Sequence, residues 1–120
     1  PKRLKEVKLD QEIRSVFHSD QYFGMILVNK EKSGNELRVY NRSGELIFSK
    51  EFTGEYKHGK IDGDEVILYE GRRCSIYMIN GILKFEGRMS ADIEEIFRAV
   101  GVNRYYVMSS NELKVVYLTK

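Results

Sequence analysis

The chain has 120 residues, 42% hydrophobic and 32% charged, with 20 basic and 18 acidic side chains and a net charge of +2. That is enough material for one globular core; it excludes a disordered chain, and the charge is too small to imply a nucleic-acid partner by itself. One cysteine excludes an intrachain disulfide, and no apolar run approaches the roughly 18 residues of a membrane helix.

The basic excess gathers at the start, in Lys2, Arg3, Lys5 and Lys8 against Glu6, and reads as the solvated face of a first strand over residues 4–9. The opening on Pro1 rather than methionine points to sequence upstream. Ile13 to Phe17 forms the next strand. The run Phe23, Met25, Ile26, Leu27, Val28 predicts a strand covered on both faces. Leu37, Val39 and Tyr40 lead into the turn Asn41-Arg42-Ser43-Gly44, with Asn first and Gly last as type I turns prefer, and Leu46 to Phe52 returns.

A second unit repeats the plan. Asp62-Gly63-Asp64 sits in a turn between two short strands, Val66 to Tyr69 is a run, Glu70 to Arg73 turns, and Cys74 to Ile79 alternates. Cys74, in step with Ile76 and Met78, reads as a small buried hydrophobe. Asn80-Gly81 then marks a tight hairpin into Leu83 and Phe85, since both residues tolerate positive φ. The third unit runs from Ile93 to Phe97, through Tyr105 to Ser109, to Glu112–Leu118, and lacks a fourth strand. Asp92-Ile93-Glu94-Glu95 also resembles a helix cap, with Ile93, Ile96, Phe97 and Val100 at helical spacing. The strand reading is kept, because Ile13, Val16 and Phe17 share that spacing.

These units echo one another. Asn35-Glu36-Leu37-Arg38-Val39 returns as Asn111-Glu112-Leu113-Lys114-Val115, Ile13–Phe17 as Ile93–Phe97, and Asn41–Phe48 more briefly as Asn80–Phe85. A period of about 40 residues with four strands per unit is the mark of a propeller blade. The expected fold is all-β: antiparallel four-stranded meander repeats forming a partial β-propeller of about three blades. The chain is one domain, residues 1–120, with approximate units 10–52, 53–89 and 90–120, and three roles are open to the strand at 4–9: to complete the last unit, to pair with another copy, or to remain an edge. Exposed sheet edges predict a homo-oligomer, by edge pairing or by two copies closing a six-bladed ring.

Candidate chemistry is thin. His18-Ser19-Asp20 holds triad residue types, but neighbours on an extended chain point apart. His58, Asp62 and Asp64 are the weak candidates for a metal cluster, although their spacing is not that of a calcium loop. Arg104, Tyr105 and Tyr106, with Arg72 and Arg73, form the candidate binding surface, by cation–π contact or stacking. No catalytic motif, phosphate-binding glycine loop or cofactor motif emerges.

The turn Asn41-x-x-Gly44-x-Leu46 and a last blade reading Ser90-x-Asp92-Ile93, Gly101-x-Asn103-Arg104-Tyr105-Tyr106-Val107 and Leu113-Lys114-x-x-x-Leu118 carry a resemblance. The chain resembles the divergent, membrane-tethered, quinoprotein-like propellers of Gram-positive bacteria, an uncharacterised family. The resemblance implies a membrane helix upstream with the propeller outside, and it transfers no catalytic residue. The expectation is a non-enzymatic binding scaffold at the bacterial envelope, facing an unknown protein or envelope ligand. Two alternatives stay open: a fragment of an enzyme or cofactor-binding propeller with its active residues in missing blades, and a polyanion or nucleic-acid binder through the basic first strand.

Overall fold

A computed structural model describes residues 9, 11–29 and 34–119. Apart from Leu9, the strand expected at 4–9 lies outside the described residues. The rest is all-β and antiparallel. Sheet 1 is a meander of β1 (Glu12–His18), β2 (Tyr22–Asn29), β3 (Gly34–Asn41) and β4 (Leu46–Phe52). Sheet 2 repeats it with β5 (His58–Asp62), β6 (Glu65–Glu70), β7 (Arg73–Met78) and β8 (Leu83–Arg88). Sheet 3 holds β9 (Glu95–Arg98), β10 (Arg104–Met108) and β11 (Leu113–Tyr117). The segment with two readings is therefore a strand at its centre, Glu95–Arg98, and not a helix.

Turn chemistry sets the register within each meander. Asn41 caps its own turn: its Oδ1 accepts from the backbone N–H groups of Ser43 and Glu45, both at 3.0 Å, and Gly44 donates to the Asn41 carbonyl. The Asn80-Gly81 hairpin differs from the two-residue turn expected. Only Gly81 takes positive φ, at 92°, and its N–H reaches back to the Met78 carbonyl at 2.8 Å. It is thus the same Gly-terminated turn as at Gly44 (φ 84°), and each is followed by a register shift where its strands meet.

Sheet 2 lies between the other two. Alternation along β6 sends Val66 and Leu68 toward sheet 1 and Ile67 and Tyr69 toward sheet 3. One core joins Phe17, Ile26, Leu37 and Val39 to Ile61, Val66, Leu68 and Tyr77. The other joins Ile67, Tyr69, Cys74 and Ile76 to Ile93, Ile96, Tyr105, Val107 and Leu118. β5 lies against β1 and β2, so the first strands of neighbouring sheets meet, as the inner strands of propeller blades do.

The seam between sheets 1 and 2 turns on one ring. Phe17 pairs across β1 and β2 with Gly24, and a Cβ on Gly24 would lie 2.5 Å from the ring. On the other side, a Cβ on Gly59 of β5 would lie 2.4 Å from it. Both glycines are present because the aromatic ring occupies the volume a side chain would need. Gly59→Ala is expected to cost about 1–3 kcal/mol by overpacking, and Phe17→Ala about 3–5 kcal/mol by leaving a cavity. In urea unfolding the double variant should lose less than the sum, because the new methyl enters the vacated space. Strict additivity would contradict the clamp.

Candidate functional site

Two polar places stand out, one closed and one open. The closed one is at the seam of sheets 2 and 3. Glu65, at the start of β6, is only 2% exposed and would be costly there without partners. Tyr105 of β10 donates its phenol proton to Glu65 Oε1. Lys84 of β8 donates to Glu65 Oε2 at 2.7 Å and to the Tyr105 oxygen at 2.8 Å. Arg98 brings Nε to 3.9 Å of the same carboxylate and Nη1 to 2.9 Å of Asp64. Burial and the Glu65 carboxylate together hold the Tyr105 phenol protonated, well above its ordinary range. Every group here is engaged across the seam, which makes the cluster a staple between blades.

This staple redraws the metal candidates. Asp62 accepts from the backbone N–H of Arg98 at 2.8 Å and Asp64 pairs with the Arg98 guanidinium. His58 stands at the opposite end of β5, stacked on Tyr69 at 5.1 Å and 3.7 Å from Glu70. The structure does not bring His58 to Asp62 and Asp64, and among the described residues no three His, Cys, Asp or Glu side chains converge as a metal site.

The expected binding surface is also divided. Tyr105 is buried, 1% exposed, and belongs to the staple rather than the surface. Tyr106 faces the other way and packs on Phe97 at 5.3 Å, while Arg104 lies 5.5 Å over the exposed Tyr117 ring. Arg72 pairs with Asp92 at 3.7 Å. Arg73 turns to the other seam, with its guanidinium 5.1 Å over the Tyr56 ring. Cys74 is fully buried, and burial pushes its thiol up to about 12.

The open place is where Arg73 points. Between sheets 1 and 2 lies a cleft of about 520 Å3, within the usual range of ligand sites. Phe52, Tyr56 and Tyr77 supply aromatic surface, and among the described lining residues Glu36, Glu51 and Glu86 supply carboxylates and Arg73 a guanidinium. Tyr56 is anchored by a 2.8 Å hydrogen bond between its hydroxyl and that of Ser75. Asn35 donates to the Gly54 carbonyl, fixing the loop that leaves β4. Glu36 is held ionised below the ordinary carboxylate range, chiefly by the Arg38 guanidinium 2.7 Å away and also by Gln11. Sequence reading missed this cleft, since its walls come from positions as far apart as Gln11 and Glu86. The signal that could have found the staple was Glu65 itself, a charge opening an apolar strand covered on both faces.

A model described as a family of unknown function, DUF5711, matches residues 1–118, and the chain belongs to that family. No curated protein matches it significantly. Among solved structures it is similar to the crystal structure of HIRA(644-1017), with a TM-score of 0.64 and 14% identity over 88% of this chain. That neighbour is a β-propeller of the WD40 type, so the likeness shows the fold: a partial propeller. The chain spans 36% of the neighbour's length.

Linked ionisations make the core pH-sensitive on the alkaline side. Burial raises Tyr69 to about 12 and also raises Tyr77, Tyr105 and Cys74. Each holds its proton more tightly folded than unfolded, so its contribution is complete below the unfolded value and lost as pH rises through the folded one. Glu36 and Glu95 are lowered, so theirs is present above 4.5 and lost as pH falls. The urea midpoint should therefore be flat between the carboxylate value of 4.5 and the thiol value of 9.0, then fall steadily beyond 10.0. A midpoint that rises above that pH would contradict the assignment.

Proposed function

We propose that this member of the DUF5711 family is a non-enzymatic protein-interaction scaffold, and that the cleft between sheets 1 and 2 receives a positively charged segment of a partner protein. The observation that carries the reading is the pair of exposed carboxylates, Glu51 and Glu86, beside an aromatic floor, the third carboxylate, Glu36, being taken up by Arg38. Arg73 lying over Tyr56 displays the mode of recognition within the chain itself, a guanidinium on a ring face. A rigid β scaffold with ligand contacts on loops and rims is how propellers commonly serve binding. The resemblance to membrane-tethered propellers supports display on the outer side of a bacterial membrane. Protease added to intact cells should then remove a C-terminal tag, and protection of the tag would refute that placement.

Selection from a random peptide library on the immobilised chain tests the cleft. Peptides rich in Lys and Arg should be enriched, and their affinity should fall as salt rises. The double variant Glu51→Lys with Glu86→Lys changes two exposed side chains and should weaken them about tenfold or more. Enrichment of acidic or purely apolar peptides, or binding indifferent to the double variant, would overturn the reading.

A further inference from the structure

Sheet 3 turns an apolar face away from sheet 2. Tyr105 and Val107 of β10 point into the core, so Tyr106 and Met108 point out. Phe97, Tyr106 and Val115 pair in one row across β9, β10 and β11, and Met108 pairs with Leu113 in another. Leu113 is 56% exposed and Val115 57%, and Tyr117 on the same face is exposed as well. Single exposed hydrophobics are ordinary on a protein surface, but a contiguous face of them marks a contact.

The repeat identifies the kind of contact. In the echo of sheet 1 by sheet 3, Phe97 holds the place of Phe17, and Leu113 and Val115 hold the places of Leu37 and Val39. In sheet 1 those three side chains are buried against sheet 2. The outer face of sheet 3 is thus, position for position, the face by which sheet 1 grips its neighbour.

The outer face of sheet 1 obeys the same rule in reverse. Ile13 pairs with Leu27 and Val16 with Met25, on the side away from Ile26 and sheet 2. In the echo they hold the places of Ile93 and Ile96, which are buried against sheet 2 from the other side. Ile13 is nevertheless 47% exposed and Val16 58%. One end of the stack therefore presents the first half of a seam and the other end presents the second half. Sheet 2 stands between them, so these halves meet only when two copies meet.

We propose that the outer face of sheet 3, centred on Phe97, Tyr106 and Val115, docks on the outer face of sheet 1 of a second copy, around Ile13 and Val16, and that two copies do so reciprocally. The contact joins unlike faces, sheet 3 of one copy to sheet 1 of the other, as the inner seams do. Every sheet is then covered on both faces, as sheet 2 is within the single copy. Charges beside the two faces are held locally: Arg104 lies over the Tyr117 ring, and Arg38 pairs with Glu36 at 2.7 Å. Neither needs to be stripped of its partner for the faces to close.

Light scattering across a concentration series, with complementing variants, tests the seam. The chain should show twice its mass of 14.1 kDa and fall to single mass only on dilution. Val115→Lys and Val16→Glu each change an exposed side chain, so both variants should keep the far-ultraviolet spectrum of the parent. Each should raise the dissociation constant about tenfold or more, because a charge is then buried in an apolar contact. Mixed in equal amounts the two variants should recover a dimer, since one seam is then unaltered and the other pairs lysine with glutamate. A chain that is monomeric at every concentration would overturn the proposal, as would a mass that climbs without limit. A dimer indifferent to Val16→Glu would show sheet 3 pairing with its own kind, and a mixture no tighter than its separate variants would equally contradict the joining of unlike faces.

Discussion

Everything in this molecule depends on sheet 2 being apolar on both faces. β6 places Val66, Ile67 and Leu68 in succession at zero exposure, and β7 buries Cys74 and Ile76 toward sheet 3 and Tyr77 toward sheet 1. A two-layer arrangement would leave one of those faces in water, at about 25 cal/mol for each Å2 of apolar surface left uncovered. The chain must therefore stack three sheets, and the repeat supplies them in order. Each seam adds its own lock. The first is steric, a phenylalanine ring between two glycines. The second is polar, a buried carboxylate satisfied by a phenol from across the gap and by a lysine of its own sheet.

The two locks differ in what they leave free. Around Phe17 the first strands of sheets 1 and 2 close tightly, and toward the Asn35 end of β3 the same seam opens into the cleft. At the second seam Lys84, Glu65 and Tyr105 hydrogen-bond one another, and Arg98 adds an ion pair to the same carboxylate. That leaves little reactive chemistry there and much rigidity. The division is one that a binding scaffold uses: fixed joints inside, and a recognition surface formed only where two blades meet. Membership of a family of unknown function and a likeness of fold add no activity of their own; what can be argued about function rests on the cleft.

Much of the architecture was legible in the chain. The echo of Asn35–Val39 in Asn111–Val115 marks the third strand of its sheet in both places, β3 and the approach to β11, and the glycine turns fall where strands reverse. The stretch from Asp92 to Val100 was harder. Ile93 and Ile96 share a helix-like spacing because both reach sheet 2, one from the connection before β9 and one from β9 itself. Tyr105 and Tyr106 illustrate a second limit. Alternation says they face opposite ways, but which of them is buried depends on which side the neighbouring sheet lies. The cleft was invisible for a related reason. Gln11, Asn35, Tyr56, Arg73 and Glu86 form no local pattern and meet only because sheets 1 and 2 stack.

The central claim, that a doubly covered middle sheet holds the stack together, is tested most directly by native-state hydrogen exchange resolved to single residues. Amides of β6 and β7 should exchange only through global unfolding, and their exchange free energy should match that from urea denaturation, with the outer strand β4 exchanging at lower cost. Exchange in β6 as easy as in β4 would mean that sheet 2 is not the buried centre, and the account would fail.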